Sequence, residues 1–316
     1  MKLDHLPGNE QVKEKLKELL KQKEVLSPLL FSGPAGIGKE AFARAFAEAL
    51  LAQKQAASKV AFNVRPFTPE GKGGLYLAEQ LKEMAHVIAM RPFDGNHQVI
   101  LLKKAERITP LGANTLLKTL EEPPSYTTIV LTSSAPTQLL PTLLSRCFEL
   151  SFSPLSEGEL CDYLTQEAGV SETHARRLAL LAHGNLARAQ ELAQDDKRPF
   201  FSLIAAVARA LIARDLEALA PLLRDLDAVV ANKPTDQRAE QKEEICLALF
   251  YWYRDLELLT VKGDETHLFF AEYLDVLNEC LSLPRPSLDE VSKQMEKIDQ
   301  ALKLNLKLSH VLDSLL

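Results

Sequence analysis

The sequence predicts an α/β domain built on a parallel sheet, followed by two smaller all-helical domains. Three observations support this fold class. Short aliphatic runs typical of strands alternate with helical patterns over the first half of the chain, and this order produces parallel sheets. The strand signal disappears after Pro154. Beyond that point the apolar residues recur at helical spacing.

Each element of the first half has its own signal. The helix predicted at residues 9–24 carries apolar residues at helical spacing after Asn9, a residue type that caps helices. A strand at residues 29–31 leads through a glycine-rich turn into a helix at residues 40–51. The other predicted elements of this half are strands at 98–102, 127–132 and 148–152 and helices at 75–90 and 110–122.

The second half is predicted to be helical throughout. Three short helices are predicted at residues 156–167, 171–182 and 185–193. Ser156 and Ser171 are the predicted N-caps of the first two. A charged linker at 194–199 precedes a longer helical region. The predicted domains are therefore residues 1–153, 154–196 and 197–316.

Composition excludes several classes of protein. The chain has 316 residues, of which 46% are hydrophobic and 25% charged, as in ordinary globular proteins and unlike disordered ones. No apolar run approaches the roughly 20 residues that a membrane span needs, and the N-terminus lacks a secretory signal. The four cysteines form no C-x-x-C pair. We therefore expect a cytoplasmic protein without zinc, disulfides or membrane contact.

The net charge of -6 is unevenly distributed. Residues 1–150 carry 19 Lys and Arg against 15 Asp and Glu, whereas residues 151–316 carry 18 against 28. The two halves therefore have net charges of +4 and -10. The basic half is the better candidate for contact with a phosphate-bearing partner, although so small an excess is also typical of a mixed solvated surface.

A phosphate-binding loop is predicted between the first strand and the following helix. Residues 33–40 read GPAGIGKE and match the pattern G-x-x-x-x-G-K in its usual setting. Gly33, Gly36 and Gly38 let backbone N–H groups surround phosphate oxygens, and Lys39 supplies a cation. Lys39 could alternatively be an ordinary solvated lysine at a tight turn. The next position normally carries a hydroxyl ligand for Mg²⁺, but here it is Glu40.

The acidic residue that a nucleotide hydrolase needs after its second apolar strand is also missing. The strand at residues 98–102 is followed by Lys103 and Lys104, which cannot bind Mg²⁺ or act as a base when protonated. Glu106 comes too late in the chain to be a direct substitute. The sequence therefore predicts a nucleotide-binding fold that has lost hydrolysis.

Two longer motifs resemble the clamp-loader branch of the AAA+ family, notably the bacterial DNA polymerase III clamp loader. They are NTLLKTLEEPP at residues 114–124 and LSRC at residues 144–147. The resemblance implies an AAA+ module, a small helical lid and a helical collar. The missing acids favour a non-hydrolysing subunit, although residues 52–62 lack the four-cysteine zinc module common in such subunits. The resemblance extends to GNLARA at 184–189, which is similar to the sensor-2 region of the lid, to WYRDL at 252–256 and to NLKL at 305–308.

The resemblance further implies a role in DNA replication. The chain would form part of the ring that loads the sliding clamp onto primer-template DNA, as a subunit of the DNA polymerase III holoenzyme. Its partners would be ATPase subunits and a clamp-opening subunit. No cofactor would be required, although weak ATP or ADP binding is compatible with the loop. The alternatives are an active AAA+ ATPase subunit and a DNA-binding scaffold with the same fold.

Single residues acquire candidate roles from the same resemblance. Arg146 would be an arginine finger that acts in trans on the ATP of a neighbouring subunit, and the alternative is a surface salt bridge within the chain. Thr132 and Ser133 would lie in the sensor-1 region, and Arg188 would be structural. The aromatic residues around Trp252 would form either a subunit interface or a domain core.

Overall fold

The structure is a computed structural model that describes residues 2–22, 27–92, 96–194, 197–234, 238–261 and 267–303. It divides into an N-terminal unit, residues 1–168 and 182–190, and a C-terminal unit, residues 169–181 and 191–316. The predicted lid, residues 154–196, is thus shared between the two units. The division into three domains stays a prediction.

A five-stranded parallel sheet forms the centre of the N-terminal unit. Its strands are β1 (Leu29–Ser32), β2 (Val64–Phe67), β3 (Gln98–Leu102), β4 (Thr127–Ser133) and β5 (Phe148–Ser151). They lie in the order β2-β3-β4-β1-β5. Every pairing is parallel, with Leu29 opposite Val130 on one side of β1 and opposite Phe148 on the other. The predicted fold class is confirmed.

Helices cover both faces of this sheet. Successive side chains of each strand point to opposite faces and so contribute to two separate apolar cores. Leu29 and Phe31 pack in the core that contains Phe42 and Phe46, whereas Leu30 packs in the core that contains Leu81. The helices of this unit are α1 (Glu10–Lys21), α2 (Lys39–Lys54), α3 (Ala57–Val60), α4 (Ala78–Ala89), α5 (Pro110–Glu121), α6 (Pro141–Leu144) and α7 (Glu157–Glu167).

Several local features differ from the sequence prediction, among them the short helices α3 and α6, which were not predicted. Strand β2 was not predicted, because it is short, contains Pro66 and lies at the sheet edge, the position where proline is tolerated in a strand. Asn9 does precede α1, but its side chain does not cap the helix. Its amide instead pairs with the backbone of Ser153, accepting from the N–H at 2.8 Å and donating to the carbonyl at 3.1 Å. Ser156, in contrast, forms the predicted cap of α7.

The C-terminal unit is helical and has an aromatic core. Trp252 is fully buried and its ring lies 5.0 Å from that of Phe270. The core alternative for the Trp252 cluster is therefore correct within this chain, since Tyr251 and Tyr253 are buried as well. Helix α8 (Glu172–Ala182) lies mostly in this unit and α9 (Leu186–Gln194) spans the boundary; the others are α10 (Arg198–Ala213), α11 (Leu216–Ala231), α12 (Arg238–Thr260), α13 (Leu274–Leu281) and α14 (Leu288–Lys303).

Candidate functional site

The predicted phosphate-binding loop joins β1 to α2 and depends on its glycines. Gly33, Gly36 and Gly38 have φ values of 140°, 75° and 95°, a region that other residues rarely adopt. A Cβ atom at Gly33 would lie 2.4 Å from the carbonyl oxygen of Phe152. The loop therefore has the backbone geometry that the sequence pattern predicts, at the carboxyl end of the interior strand β1.

Lys39 is bonded to the loop itself. Its Nζ donates to the carbonyl oxygen of Gly33 at 2.7 Å and to that of Pro34, and the residue is only 6% exposed. Burial lowers the pKa of Lys39, while the negative charges of Glu106 and Glu40 oppose this shift. The ammonium group is thus satisfied by the carbonyl groups that precede it, and Lys39 is not the solvated lysine that was the alternative.

Glu40 and Lys103, the two departures from the hydrolase pattern, are in contact. Lys103 Nζ lies 2.5 Å from Glu40 Oε2, which joins the start of α2 to the residue after β3. In an active P-loop enzyme these two positions supply the ligands of Mg²⁺. Here a carboxylate and an ammonium group neutralise each other, so the side chains present do not fit a magnesium site.

The next residues after β3 and β4 are held by backbone contacts. Lys104 has a left-handed backbone conformation, and its N–H donates to Thr132 Oγ1 at 3.3 Å. The hydroxyl of Ser133 accepts from the backbone of Ala135. Of the two residues assigned to the sensor-1 region, Thr132 therefore stabilises the turn that follows β3 and Ser133 the loop that follows β4.

Glu106 lies nearer to the loop than the sequence indicated. Its negative charge opposes the lowering of the Lys39 pKa by burial and adds to the rise that burial causes in the Tyr76 pKa, so its carboxylate acts at the same edge of the sheet. One carboxylate oxygen accepts from the backbone N–H of Ser134 at 3.3 Å. The other is buried and has no hydrogen-bond partner among the described residues.

Tyr76 is a buried residue of this edge that the sequence analysis missed. Its hydroxyl lies 2.8 Å from the carbonyl oxygen of Phe67 and 2.6 Å from that of Lys103, at the ends of β2 and β3. Burial raises the pKa of the phenol. The tyrosine thus links the two strand ends beside the Glu40–Lys103 ion pair. No motif around Tyr76 could have indicated this contact, because it joins residues far apart in sequence.

The segment Gly184–Arg188 packs directly on the phosphate-binding loop. The N–H of Ala187 donates to the carbonyl oxygen of Gly36 at 2.9 Å, and a Cβ atom at Gly36 would lie 2.0 Å from Asn185 Oδ1. The same Oδ1 accepts from the N–H of Arg188 at 3.0 Å. The residues of the GNLARA match therefore cover Gly36. We still interpret Arg188 as a structural residue.

Arg146 is bonded within its own chain, between α6 and β5. Its Nε donates to Glu121 Oε1 at 2.7 Å, and Nη2 reaches the same oxygen. Nη1 donates to the carbonyl oxygen of Thr142 at 2.6 Å and to Ser145 Oγ at 3.3 Å. The two long sequence motifs thus meet at this arginine. The single chain therefore forms the surface salt bridge that was the alternative. The role of Arg146 as a finger stays a prediction.

Other candidate groups add little chemistry. Burial raises the pKa of the Cys147 thiol to about 11, so it is not a reactive thiolate. Within the described ranges, no three His, Cys, Asp or Glu side chains are grouped to hold a metal ion. In the same part of the chain no helix combines the length and apolar character needed to cross a bilayer. The NLKL motif at residues 305–308 lies outside the described residues.

Comparison with known proteins finds relatives of the N-terminal half of the chain. A family described as DNA polymerase III, delta subunit, matches residues 8–156, just under half of the chain. A DNA polymerase III subunit delta' from Pseudomonas aeruginosa is 35% identical over 134 residues, which are 38% of this chain and 41% of that protein. The chain thus spans well under two thirds of that relative.

Two more distant similarities extend over most of the chain. The DNA polymerase III subunit tau from Bacillus subtilis is 23% identical over 96% of this chain and 58% of its own length. A solved structure of a Thermotoga maritima RuvB mutant shares the fold alone, at 17% identity and a TM-score of 0.50 over 90% of this chain and 93% of that one. Over residues 8–156, the chain is therefore similar to the delta' subunits of bacterial DNA polymerase III.

Proposed function

We propose that this protein is a non-hydrolysing subunit of the bacterial clamp loader and that Arg146 acts as an arginine finger in trans. The observation that carries the first part is the Glu40–Lys103 ion pair at 2.5 Å. A magnesium ion would have to displace Lys103 from Glu40, and the two positions directly after β3 would offer it Lys103 and Lys104 in place of a carboxylate. Without the metal, the phosphate charge that develops during hydrolysis lacks its main stabilisation.

Nucleotide has only a weak or vestigial site under this proposal. Gly33, Gly36, Gly38 and Lys39 keep the form of a phosphate cradle, but binding of a phosphate requires Lys39 to exchange its two carbonyl acceptors. The pairing of Lys103 with Glu40 also leaves the ammonium group of Lys103 less able to attract a phosphate. ATP or ADP would therefore be a weak ligand, and neither nucleotide nor zinc would be required for function.

The proposed partners are those of a clamp loader in the cytoplasm. ATPase subunits would present nucleotide to Arg146, a clamp-opening subunit would complete the ring, and the sliding clamp and primer-template DNA would be reached through the assembly. The predicted collar, residues 197–316, would hold the ring together. Similarity to a tau subunit over 96% of this chain supports a role for the whole length.

A scaffold is the second candidate, since Arg146 is already paired with Glu121. Such a protein would share the fold and the assembly, but Arg146 would only stabilise its own surface. An active ATPase is disfavoured by the Glu40–Lys103 contact and would appear as turnover by the isolated chain.

Reconstitution with candidate ATPase and clamp-opening subunits tests both parts of the proposal. The isolated chain is expected to show no Mg²⁺-dependent ATP hydrolysis above background, whereas the assembly hydrolyses ATP. Arg146→Ala should assemble normally and lower DNA-stimulated hydrolysis. Fingers elsewhere contribute roughly 10³ to 10⁵ in rate, and the loss here should be smaller because other sites keep their own fingers.

Arg44→Ala is the matched control, because Arg44 is also surface-exposed and paired with a glutamate, Glu48, at 3.1 Å. It should leave the rate unchanged. An intact complex with wild-type hydrolysis for Arg146→Ala would favour the scaffold. Turnover by the isolated chain that disappears in Lys39→Ala would identify an active ATPase.

A further inference from the structure

The guanidinium group of Arg146 is almost fully occupied before any partner arrives. It has five N–H donors, and contacts to Glu121, Thr142 and Ser145 engage all three of its nitrogens. A phosphate group of a neighbouring subunit would have to compete with these acceptors. The proposed finger is thus held on its own chain.

The contact with Glu121 differs in kind from the other two. Thr142 and Ser145 are near Arg146 in sequence, are neutral, and can move with it. Glu121 carries a full charge and ends a separate helix, α5, 25 residues earlier. A carboxylate also presents the same acceptor chemistry to an arginine as a phosphate does. Glu121 is therefore the direct competitor of a phosphate for Arg146.

The exposure of this ion pair makes the contact exchangeable. The side chains of Arg146 and Glu121 are 28% and 48% exposed, so water can solvate both when they separate. A buried pair would leave an unpaired charge on opening, which costs far more. The pair can therefore open without disrupting the fold.

We propose that Glu121 is a positioning residue that keeps Arg146 retracted until the charge that develops on the phosphates of a neighbouring nucleotide in the transition state competes for it. This inference rests on the proposed trans-acting role of Arg146. It predicts that the retraction lowers the basal rate of ATP hydrolysis. Weakening the carboxylate should therefore raise the basal rate, in contrast to the loss expected for Arg146→Ala.

The test measures steady-state ATP hydrolysis by the reconstituted complex without DNA. Glu121→Gln keeps the size and one acceptor oxygen but removes the charge, and it should raise kcat about two- to fivefold, the range that exposed ion pairs imply. KM should not change, because the finger acts on the transition state. Glu121→Asp retains the charge and should stay near the wild-type rate.

Two controls separate this effect from others. Glu122→Gln neutralises the adjacent exposed carboxylate, which makes none of the contacts described for Arg146, and should leave the rate unchanged. The double variant Glu121→Gln with Arg146→Ala should behave like Arg146→Ala alone. Unfolding curves of the isolated variants verify that each one folds.

The outcomes are distinct for the two proposals. If Arg146→Ala slows hydrolysis while Glu121→Gln leaves the basal rate unchanged or lowers it, the retraction is wrong but the finger stands. If Arg146→Ala has no effect, the finger itself fails and Glu121 is only a structural partner. A faster basal rate that persists in the double variant would also refute the retraction.

Discussion

His97 is expected to make the stability of the protein depend on pH. The residue precedes β3 and is 4% exposed. Its Nε2 lies 2.9 Å from Thr128 Oγ1, and its Nδ1 lies 3.4 Å from Lys54 Nζ. Burial, with a smaller contribution from the positive charge of Lys54, lowers the pKa of His97 to about 4. The folded chain therefore keeps this imidazole neutral at pH 5.

The magnitude follows from the difference between the folded and unfolded pKa values. In the unfolded chain the pKa returns to 6.5, so the unfolded state binds a proton that the folded state does not. Stability is therefore fully present above pH 6.5 and is lost as the pH falls toward 4. Between pH 7.5 and pH 5 the loss amounts to about 2 kcal/mol.

Urea unfolding at pH 7.5 and pH 5 measures this loss. His97→Gln keeps a hydrogen-bonding side chain without the titration, so its free energy of unfolding should fall by about 2 kcal/mol less than that of wild type over the same interval. His5→Gln removes an exposed histidine and should reproduce the wild-type change. Equal pH dependence in wild type and His97→Gln would refute the role assigned to burial.

Two further predictions concern the core and the phosphate-binding loop. Trp252→Ala should lower the free energy of unfolding by about 3 to 5 kcal/mol in urea titrations, because the side chain is fully buried against Phe270; a loss below about 1 kcal/mol would contradict this core assignment. ATP should bind the isolated chain with a Kd above roughly 100 μM in calorimetry. Mg²⁺ should not strengthen ATP binding, because Glu40 is already paired with Lys103. Tighter binding that requires both Mg²⁺ and Lys39 would overturn that reasoning.

The fold was predictable because its signals are local and periodic. The order of the elements is predicted by the aliphatic runs at β1, β3 and β4 and by the glycine and proline residues that separate helices from strands. This order in turn predicts a parallel sheet. The GPAGIGK pattern likewise indicates a defined loop between strand and helix. Among the strands of the described residues only β2 was missed, since a four-residue edge strand with a proline lacks both length and periodicity, and the four-residue helices α3 and α6 were missed as well.

The candidate site was less predictable because its contacts join distant residues. Glu40 and Lys103 each departed from the hydrolase pattern, but nothing in the sequence indicated that they pair with one another. The same is true of Tyr76, which lies between two strand ends, and of Glu121 at Arg146. Residue types reveal which chemistry is possible at a position, whereas the partner is decided by the packing of separate elements.

The phosphate-binding loop shows why a motif can persist in a chain whose metal ligands are replaced. Lys39 bonds to the carbonyl oxygens of Gly33 and Pro34, and the carbonyl oxygen of Gly36 accepts from Ala187. Each contact uses the loop as part of the protein's own structure and requires no nucleotide. Replacing Lys39 would leave two carbonyl groups without this donor, and a side chain at Gly36 would collide with Asn185. The glycine and lysine pattern therefore specifies a conformation here, and the chemistry is decided separately by Glu40 and Lys103.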